Sequence, residues 1–176
     1  TTAQVAGMTS TQLGKLEGED LAALTMAAVA NLSATQLDGL TATQMADLTT
    51  AQAAVLTSTQ VASLSTAQVA GMETNDLSKL SSSAIGGLSA TQMAALTADQ
   101  IAALSTTQTS ALTAAQVGAI GTAQIQALTT AQAAALTTLQ ASGLTTGQLA
   151  KLEPEDLAKF STGVIAGLTP TQLGAL

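Results

Sequence analysis

The chain has 176 residues, no Cys, His, Trp or Tyr, four Lys or Arg, and eleven Asp or Glu, giving a formal net charge of -7. These absences exclude His-based triads, thiol chemistry and metal sites with imidazole or thiolate ligands, and four scattered Lys cannot form a cluster that binds a phosphate backbone. No apolar run approaches the roughly 20 residues that span a bilayer. We therefore predict a protein that is not an enzyme, needs no cofactor, binds no nucleic acid and does not insert into a membrane.

The sequence is a tandem repeat with a period of eight residues from one end to the other. Leu occupies 18 of the 22 positions in this register, and the exceptions are Met8, Met72, Ile120 and Phe160. This pattern predicts a single repeat array over residues 1–176, without a linker or a second domain. Solenoids normally carry polar capping repeats, and none is evident, so we expect the array to be a fragment of a longer one.

Each octapeptide opens with a helix-start pattern. With the repeated Leu as position eight, position one is Ser or Thr in 18 of 22 repeats and position four is Gln in 16. Ser or Thr followed three residues later by Gln is a capping box, and the apolar residues at positions eight and five match a hydrophobic staple. Pro154 and Pro170 fall at the first helical position, where proline is favoured. The repeat therefore predicts one short helix per octapeptide.

The helix in each repeat must be short, because the next cap arrives eight residues later. Positions two to seven span roughly 9 Å at 1.5 Å per residue, and so short a helix melts in isolation. Position seven is a suitable place for a helix to end, and it is glycine at Gly7, Gly39, Gly71, Gly87, Gly143 and Gly167. Ala and Gly at positions six and seven also allow close approach between backbones.

These features predict an all-α fold, a solenoid of 22 eight-residue units with positions eight and five facing its axis. We expect two to four units per superhelical turn. A continuous helix turns about 800° in eight residues, so its Leu row would slip by about 80° per repeat and no coiled-coil face would survive. A β-solenoid fits poorly, because side chains alternate between the two faces of a strand and Leu at position eight and Val at position five would point to opposite faces. Disorder until binding is opposed by the unbroken aliphatic register.

Three stretches depart from the octapeptide pattern in the same way. At residues 17–20, 73–76 and 153–156, Glu replaces Thr at the cap, Asp replaces Gln at position four, and the next repeat lacks its Gln. One interpretation is a calcium site built from carboxylates such as Glu17, Glu19 and Asp20. Calcium, however, takes six to eight oxygens from a shaped loop. The favoured interpretation is that these acids interact with the positive helix N-terminus, assisted by Lys79 and Lys159. We therefore assign no catalytic, cofactor-binding or metal-binding residue.

Two resemblances follow from these residues. The stretch "LTPTQLGAL", residues 168–176, resembles the first-helix segment of TAL-effector repeats, which supports a local helix start and implies nothing about DNA binding. The whole array resembles the Ala/Thr/Gln-rich octapeptide tracts of large bacterial secreted or surface proteins, which are adhesion-like. That resemblance implies an extracellular or cell-surface location in a bacterium.

The function that these patterns favour is structural: a stalk, spacer or adhesive fibre segment. One alternative is a repeat scaffold that binds a protein or glycan partner, but such surfaces usually carry aromatic or Arg anchors, and positions two and three here are mainly Thr, Ser and Ala. Another alternative is self-association into a surface or matrix fibre through exposed Leu and Ala.

Overall fold

A computed structural model describes residues 1–176 and contains 22 short α-helices and no β-strand. The chain divides into two compact units, Thr1–Leu88 and Ser89–Leu176. The first unit contains α1 (Thr2–Ala6), α2 (Ser10–Leu13), α3 (Gly18–Ala22), α4 (Met26–Ala30), α5 (Ala34–Asp38), α6 (Ala42–Ala46), α7 (Thr50–Ala53), α8 (Ser58–Ser63), α9 (Thr66–Gly71), α10 (Thr74–Lys79) and α11 (Ser82–Gly86). The second contains α12 (Ala90–Ala95), α13 (Ala98–Ala102), α14 (Thr106–Ser110), α15 (Ala114–Ala119), α16 (Thr122–Gln126), α17 (Thr130–Ala135), α18 (Thr138–Ser142), α19 (Thr146–Leu149), α20 (Pro154–Leu157), α21 (Thr162–Ala166) and α22 (Pro170–Leu173).

Every helix begins immediately after position one, as the capping pattern predicts. At the start of α13 the backbone N–H of Gln100 donates to Thr97 Oγ1 at 3.1 Å. The backbone N–H of Thr97 donates in return to Gln100 Oε1 at 2.8 Å. Thr97 itself is extended, with φ -76° and ψ 164°. The two bonds satisfy amides that have no partner inside the helix, which is why Ser or Thr with Gln starts a helix in this sequence.

The helices end without the left-handed residue that commonly terminates a helix. Five of the six position-seven glycines are C-caps, but Gly71 is the last residue of α9. No residue of the chain has a positive φ. The helix stops because position eight, as in Leu96 with φ -62° and ψ 147°, returns to an extended conformation before the next cap. All six position-seven glycines thus lie at the end of a helix, as predicted, without adopting a left-handed conformation.

Within each unit, a helix packs against the helix three repeats away. In the first unit α6 packs on α9 and α8 on α11, and in the second α12 packs on α15 and α15 on α18. This spacing corresponds to three repeats per turn, within the range of two to four that we predicted. The prediction of an all-α solenoid is confirmed, whereas one continuous array over residues 1–176 stays a prediction.

The core of each unit is lined by positions five and eight. Leu37 and Met45 in the first unit and Ile125 in the second are fully buried at position five. Leu40 and Leu144 are almost fully buried at position eight. Burying each such side chain contributes about 1.5–3 kcal/mol. A helix of five residues therefore persists because its neighbours cover its apolar side.

Candidate functional site

The most regular polar feature of the structure is a second role for the Gln at position four. Gln68 Oε1 accepts the hydrogen of the Ser65 backbone amide at 2.7 Å, as the capping box requires. The Gln68 Nε2 group donates to the carbonyl oxygens of Leu37 and Leu40, both at 2.7 Å, which lie 31 and 28 residues earlier. One side chain thus closes its own helix cap and binds the repeat four places back. We call this pair of interactions the glutamine bridge.

The glutamine bridge recurs in both units with the same spacing of 31 and 28 residues. Gln140 Nε2 donates to the carbonyl oxygens of Thr109 and Leu112, both at 2.7 Å. Gln124 donates in the same way to Met93 and Leu96. Bridges are formed by Gln36, Gln44, Gln52, Gln60 and Gln68 in the first unit and by Gln124, Gln132, Gln140, Gln148 and Gln172 in the second.

These glutamines are buried, with between 1% and 8% of each side chain exposed. A buried amide that loses its partner costs about 1–3 kcal/mol, and no buried side-chain nitrogen or oxygen in the chain lacks a hydrogen bond. The bridge therefore satisfies the amide and two main-chain carbonyls together. It gives each turn of the solenoid a polar link in addition to its apolar packing.

Sequence reasoning missed the bridge, although a signal for it was present. Glu and Gln serve equally in a capping box, yet position four holds Gln in 16 repeats and Glu in none. Only Gln has an N–H group that can donate to a carbonyl. The exclusive choice of Gln thus indicated a second hydrogen-bonding role, in which the side chain acts as a donor.

Four of the six position-seven glycines lie where one repeat approaches the backbone of the repeat three places back: Gly39, Gly71, Gly87 and Gly143. A Cβ atom on Gly87 would lie 2.8 Å from the carbonyl oxygen of Ser58. A Cβ atom on Gly143 would collide with the backbone of Ala114. These contacts confirm that small residues allow close approach here. At these four positions close packing therefore adds a second reason for glycine, beside its place at the end of a helix.

The acidic variant repeats lack both the capping box and the glutamine bridge. Their cap residues Glu17, Glu73 and Glu153 make no side-chain cap hydrogen bond. Asp20 is exposed, whereas Asp76 and Asp156 are only 2% and 3% exposed. The variant helices therefore start without a capping box, and two of them bury a carboxyl group at the position of the bridging Gln.

Burial changes the acidity of these two carboxyl groups. Loss of solvent raises the pKa of Asp76 above its ordinary value of 3.8, and nearby Glu73 raises it further, while a hydrogen bond with Thr50 acts in the opposite direction. Loss of solvent likewise raises the pKa of Asp156, with the charges of Glu153 and Glu155 adding to the effect. In both cases a carboxylate is held in surroundings that favour its protonated form.

The residues of the calcium interpretation lie at the surface of the first unit. Glu17 and Glu19 line an open pocket of about 530 Å³, together with Gly18, Ala22 and Asp47. Asp20, the third carboxylate of that interpretation, is not among the lining residues. No three acidic side chains of the chain are grouped as a metal site requires. The helix-dipole interpretation stays a prediction, and Lys79 does lie in the last turn of α10.

Repeated capped helices, stacked three repeats apart and linked by buried glutamines, define this chain as a helical tandem repeat protein. Its sequence matches the ALTTAQ repeat family model in two segments, residues 13–50 and 69–106, which together cover less than half of the chain. The letters ALTTAQ also occur at residues 127–132, outside both segments. Comparison with curated proteins finds no match. None of the helices combines the length and the apolar character needed to cross a membrane.

Proposed function

We propose that this chain is a non-catalytic structural region built throughout from ALTTAQ repeats, serving as a stalk, spacer or adhesive fibre segment of a large bacterial exported protein. The observation that carries the proposal is the glutamine bridge. The Gln at position four, present in 16 of 22 repeats, is turned inward in these bridges and holds one turn to another. A side chain of this kind contributes to architecture and is not available to a ligand.

The surface composition supports a spacer more than a binding scaffold. The aromatic and Arg anchors that dominate binding energy at interfaces are missing from the surface, since the one aromatic residue, Phe160, is buried and the chain has no Arg. Positions two and three, which are exposed or half-buried, carry mainly Thr, Ser and Ala. Such a surface is hydrated and offers few strong contacts.

The exported location rests on the resemblance to octapeptide tracts of bacterial surface proteins, and it has a direct test. Antibodies raised against the chain are applied to intact and to permeabilised cells that produce the parent protein. We expect labelling of intact cells, and loss of that labelling after brief protease treatment of the cell surface. Labelling only after permeabilisation, with a cytoplasmic protein as the matched control, contradicts the proposal.

The spacer role predicts that the isolated chain does not associate. Sedimentation velocity over a concentration series is expected to give one constant species, with small-angle scattering profiles that superimpose after scaling. Growth with concentration favours the second candidate, a self-assembling fibre.

One observation favours that second candidate. Leu139 at position three of its repeat is 72% exposed. If the chain associates through this residue, Leu139→Thr abolishes the association while leaving the far-ultraviolet circular dichroism spectrum unchanged. If the association persists in this variant, Leu139 is not the contact.

A further inference from the structure

Asp76 in the first unit and Asp156 in the second occupy position four of their repeats. They lie 80 residues apart in the sequence, at the position where other repeats place the bridging Gln. The helix carrying Asp76, α10, packs on α7, and the helix carrying Asp156, α20, packs on α17. The same replacement thus occurs in the same packing environment twice.

A charged aspartate cannot form the glutamine bridge. In ten other repeats, Gln Nε2 at position four donates to the carbonyl groups 31 and 28 residues earlier. For Asp76, the carbonyl groups at this spacing belong to Met45 and Leu48. For Asp156 they belong to Ile125 and Leu128. An ionised carboxylate has oxygens but no hydrogen to donate, so it cannot supply to these carbonyl groups the hydrogen bonds that Gln Nε2 supplies in the bridged repeats.

The next repeat in each variant also lacks the bridge. Ala84 and Val164 stand at position four there, with 0% and 1% exposure. Two consecutive bridges are therefore missing in each unit, and the second place is filled by apolar atoms. These atoms bring no polar group that could compensate a buried charge.

Few charged groups surround the two carboxyl groups. The packed helices α7 and α17 contain no ionisable side chain, and the segment 45–48 contributes only the exposed Asp47. On their own repeats, Asp76 has Glu73 and Lys79, and Asp156 has Glu153, Glu155 and Lys159. Acidic neighbours thus match or outnumber the basic ones around each carboxyl group.

We propose that Asp76 and Asp156 make the solenoid sensitive to acid: when charged they weaken the link to the repeat four places back, and when protonated they strengthen it. The proton comes from solvent and neutralises the buried charge. The protonated carboxyl group also carries a hydrogen that it can donate to a main-chain carbonyl, as the Gln amide does in the bridged repeats. The packing of the variant repeats then becomes more stable as the pH falls. This inference does not depend on the proposed spacer role.

The sign of the effect follows from proton linkage. The folded chain raises the pKa of both carboxyl groups, so between the ordinary aspartate value and the raised value it binds more protons than the unfolded chain. The free energy of unfolding must therefore decrease as the pH rises through that interval. Above the raised value the loss is complete and stays constant.

The test compares urea unfolding of the full chain between about pH 7 and about pH 4.5, an interval that approaches the ordinary aspartate value. We expect the midpoint to move to higher urea as the pH falls. The double variant Asp76→Asn with Asp156→Asn, which is neutral at both pH values, should lose this shift. The matched control Asp38→Asn with Asp99→Asn removes the same charge from two exposed sites and should keep it. The proposal is overturned if the first variant keeps the shift or the control loses it.

A second measurement uses the unaltered chain and does not depend on the folding of a variant. Carbon-13 NMR of labelled aspartate side chains follows each carboxyl group as the pH is changed. We expect the carboxyl groups of Asp76 and Asp156 to titrate above the ordinary aspartate value. Titration of both at the ordinary value overturns the proposal.

Discussion

The side chain of Gln68 donates a hydrogen bond to the main-chain carbonyl of Leu37, 31 residues earlier, at 2.7 Å. Local helix capping therefore uses only part of this glutamine, and the amide nitrogen connects two turns of the first unit. The bond joins residues that are distant in the sequence, whereas the cap joins residues three apart. Its contribution to the free energy of unfolding can therefore be separated from that of the cap.

Gln68→Glu should remove the bridge and leave the capping box. The carboxylate can still accept from the Ser65 backbone amide, but it cannot donate to Leu37 and Leu40, and it buries a charge. We expect a loss of about 1–3 kcal/mol in the free energy of unfolding, measured by urea denaturation near pH 7. Gln12→Glu is the matched control, because Gln12 is exposed and its side chain is hydrogen-bonded only to Thr9, and it should change stability by less than about 0.5 kcal/mol. Equal losses in the two variants would show that the bridge contributes nothing.

Gly143→Ala should destabilise the second unit because its new methyl group meets the backbone of Ala114. Overpacking of this kind typically costs about 1–3 kcal/mol. Gly147→Ala is the control, because its Cβ would have no neighbour nearer than Thr145 Oγ1 at 3.9 Å, and it should stabilise the helix by roughly 0.5–1 kcal/mol. Thermal unfolding followed by circular dichroism distinguishes the two. Stabilisation by both substitutions would contradict the close packing at position seven.

Thr97→Ala should cost about 0.5–2 kcal/mol, because it removes the oxygen that accepts the Gln100 backbone N–H at the start of α13. Thr97→Ser should retain most of the stability, since its hydroxyl can accept the same bond. Thr107→Ala, an exposed substitution inside α14, should be neutral or slightly stabilising because Ala has the higher helix propensity. Urea midpoints of the three variants provide the measurement. If Thr97→Ala is as stable as Thr107→Ala, the capping interpretation fails.

Met93→Ala should be among the most damaging of the single substitutions. Met93 is completely buried at position five, so truncation loses apolar contact and leaves a cavity, at a cost of about 2–5 kcal/mol. Met26→Ala makes the same chemical change at a side chain that is 53% exposed, and it should change stability by less than about 0.5 kcal/mol. Calorimetric unfolding of both variants checks this. Similar losses would mean that position five does not form the core.

The helix starts could be predicted because the groups involved lie within three residues of one another. Thr97 and Gln100 can form their hydrogen bonds without contacts from the rest of the chain. The apolar residues at positions five and eight give each repeat one apolar face that must be buried. The same local argument placed the position-seven glycines at helix ends, and Gly71 is the last residue of α9. It could not show that Gly71 also packs against the backbone of Ala42, because Ala42 belongs to a repeat three places back.

The sequence by itself determined the eight-residue period, the place where each helix begins and the inward-facing positions, since these depend on contacts within one or two repeats. Tertiary structure decided that three repeats form a turn, that Gln68 reaches Leu37, and that Asp76 becomes a buried acid while Asp20 stays exposed. These features join atoms some 25 to 31 residues apart, as in the bonds of Ser110 to Ala135 and of Gln68 to Leu37. The sequence of one octapeptide does not indicate which distant residue it will contact, because that partner depends on how many repeats complete one turn.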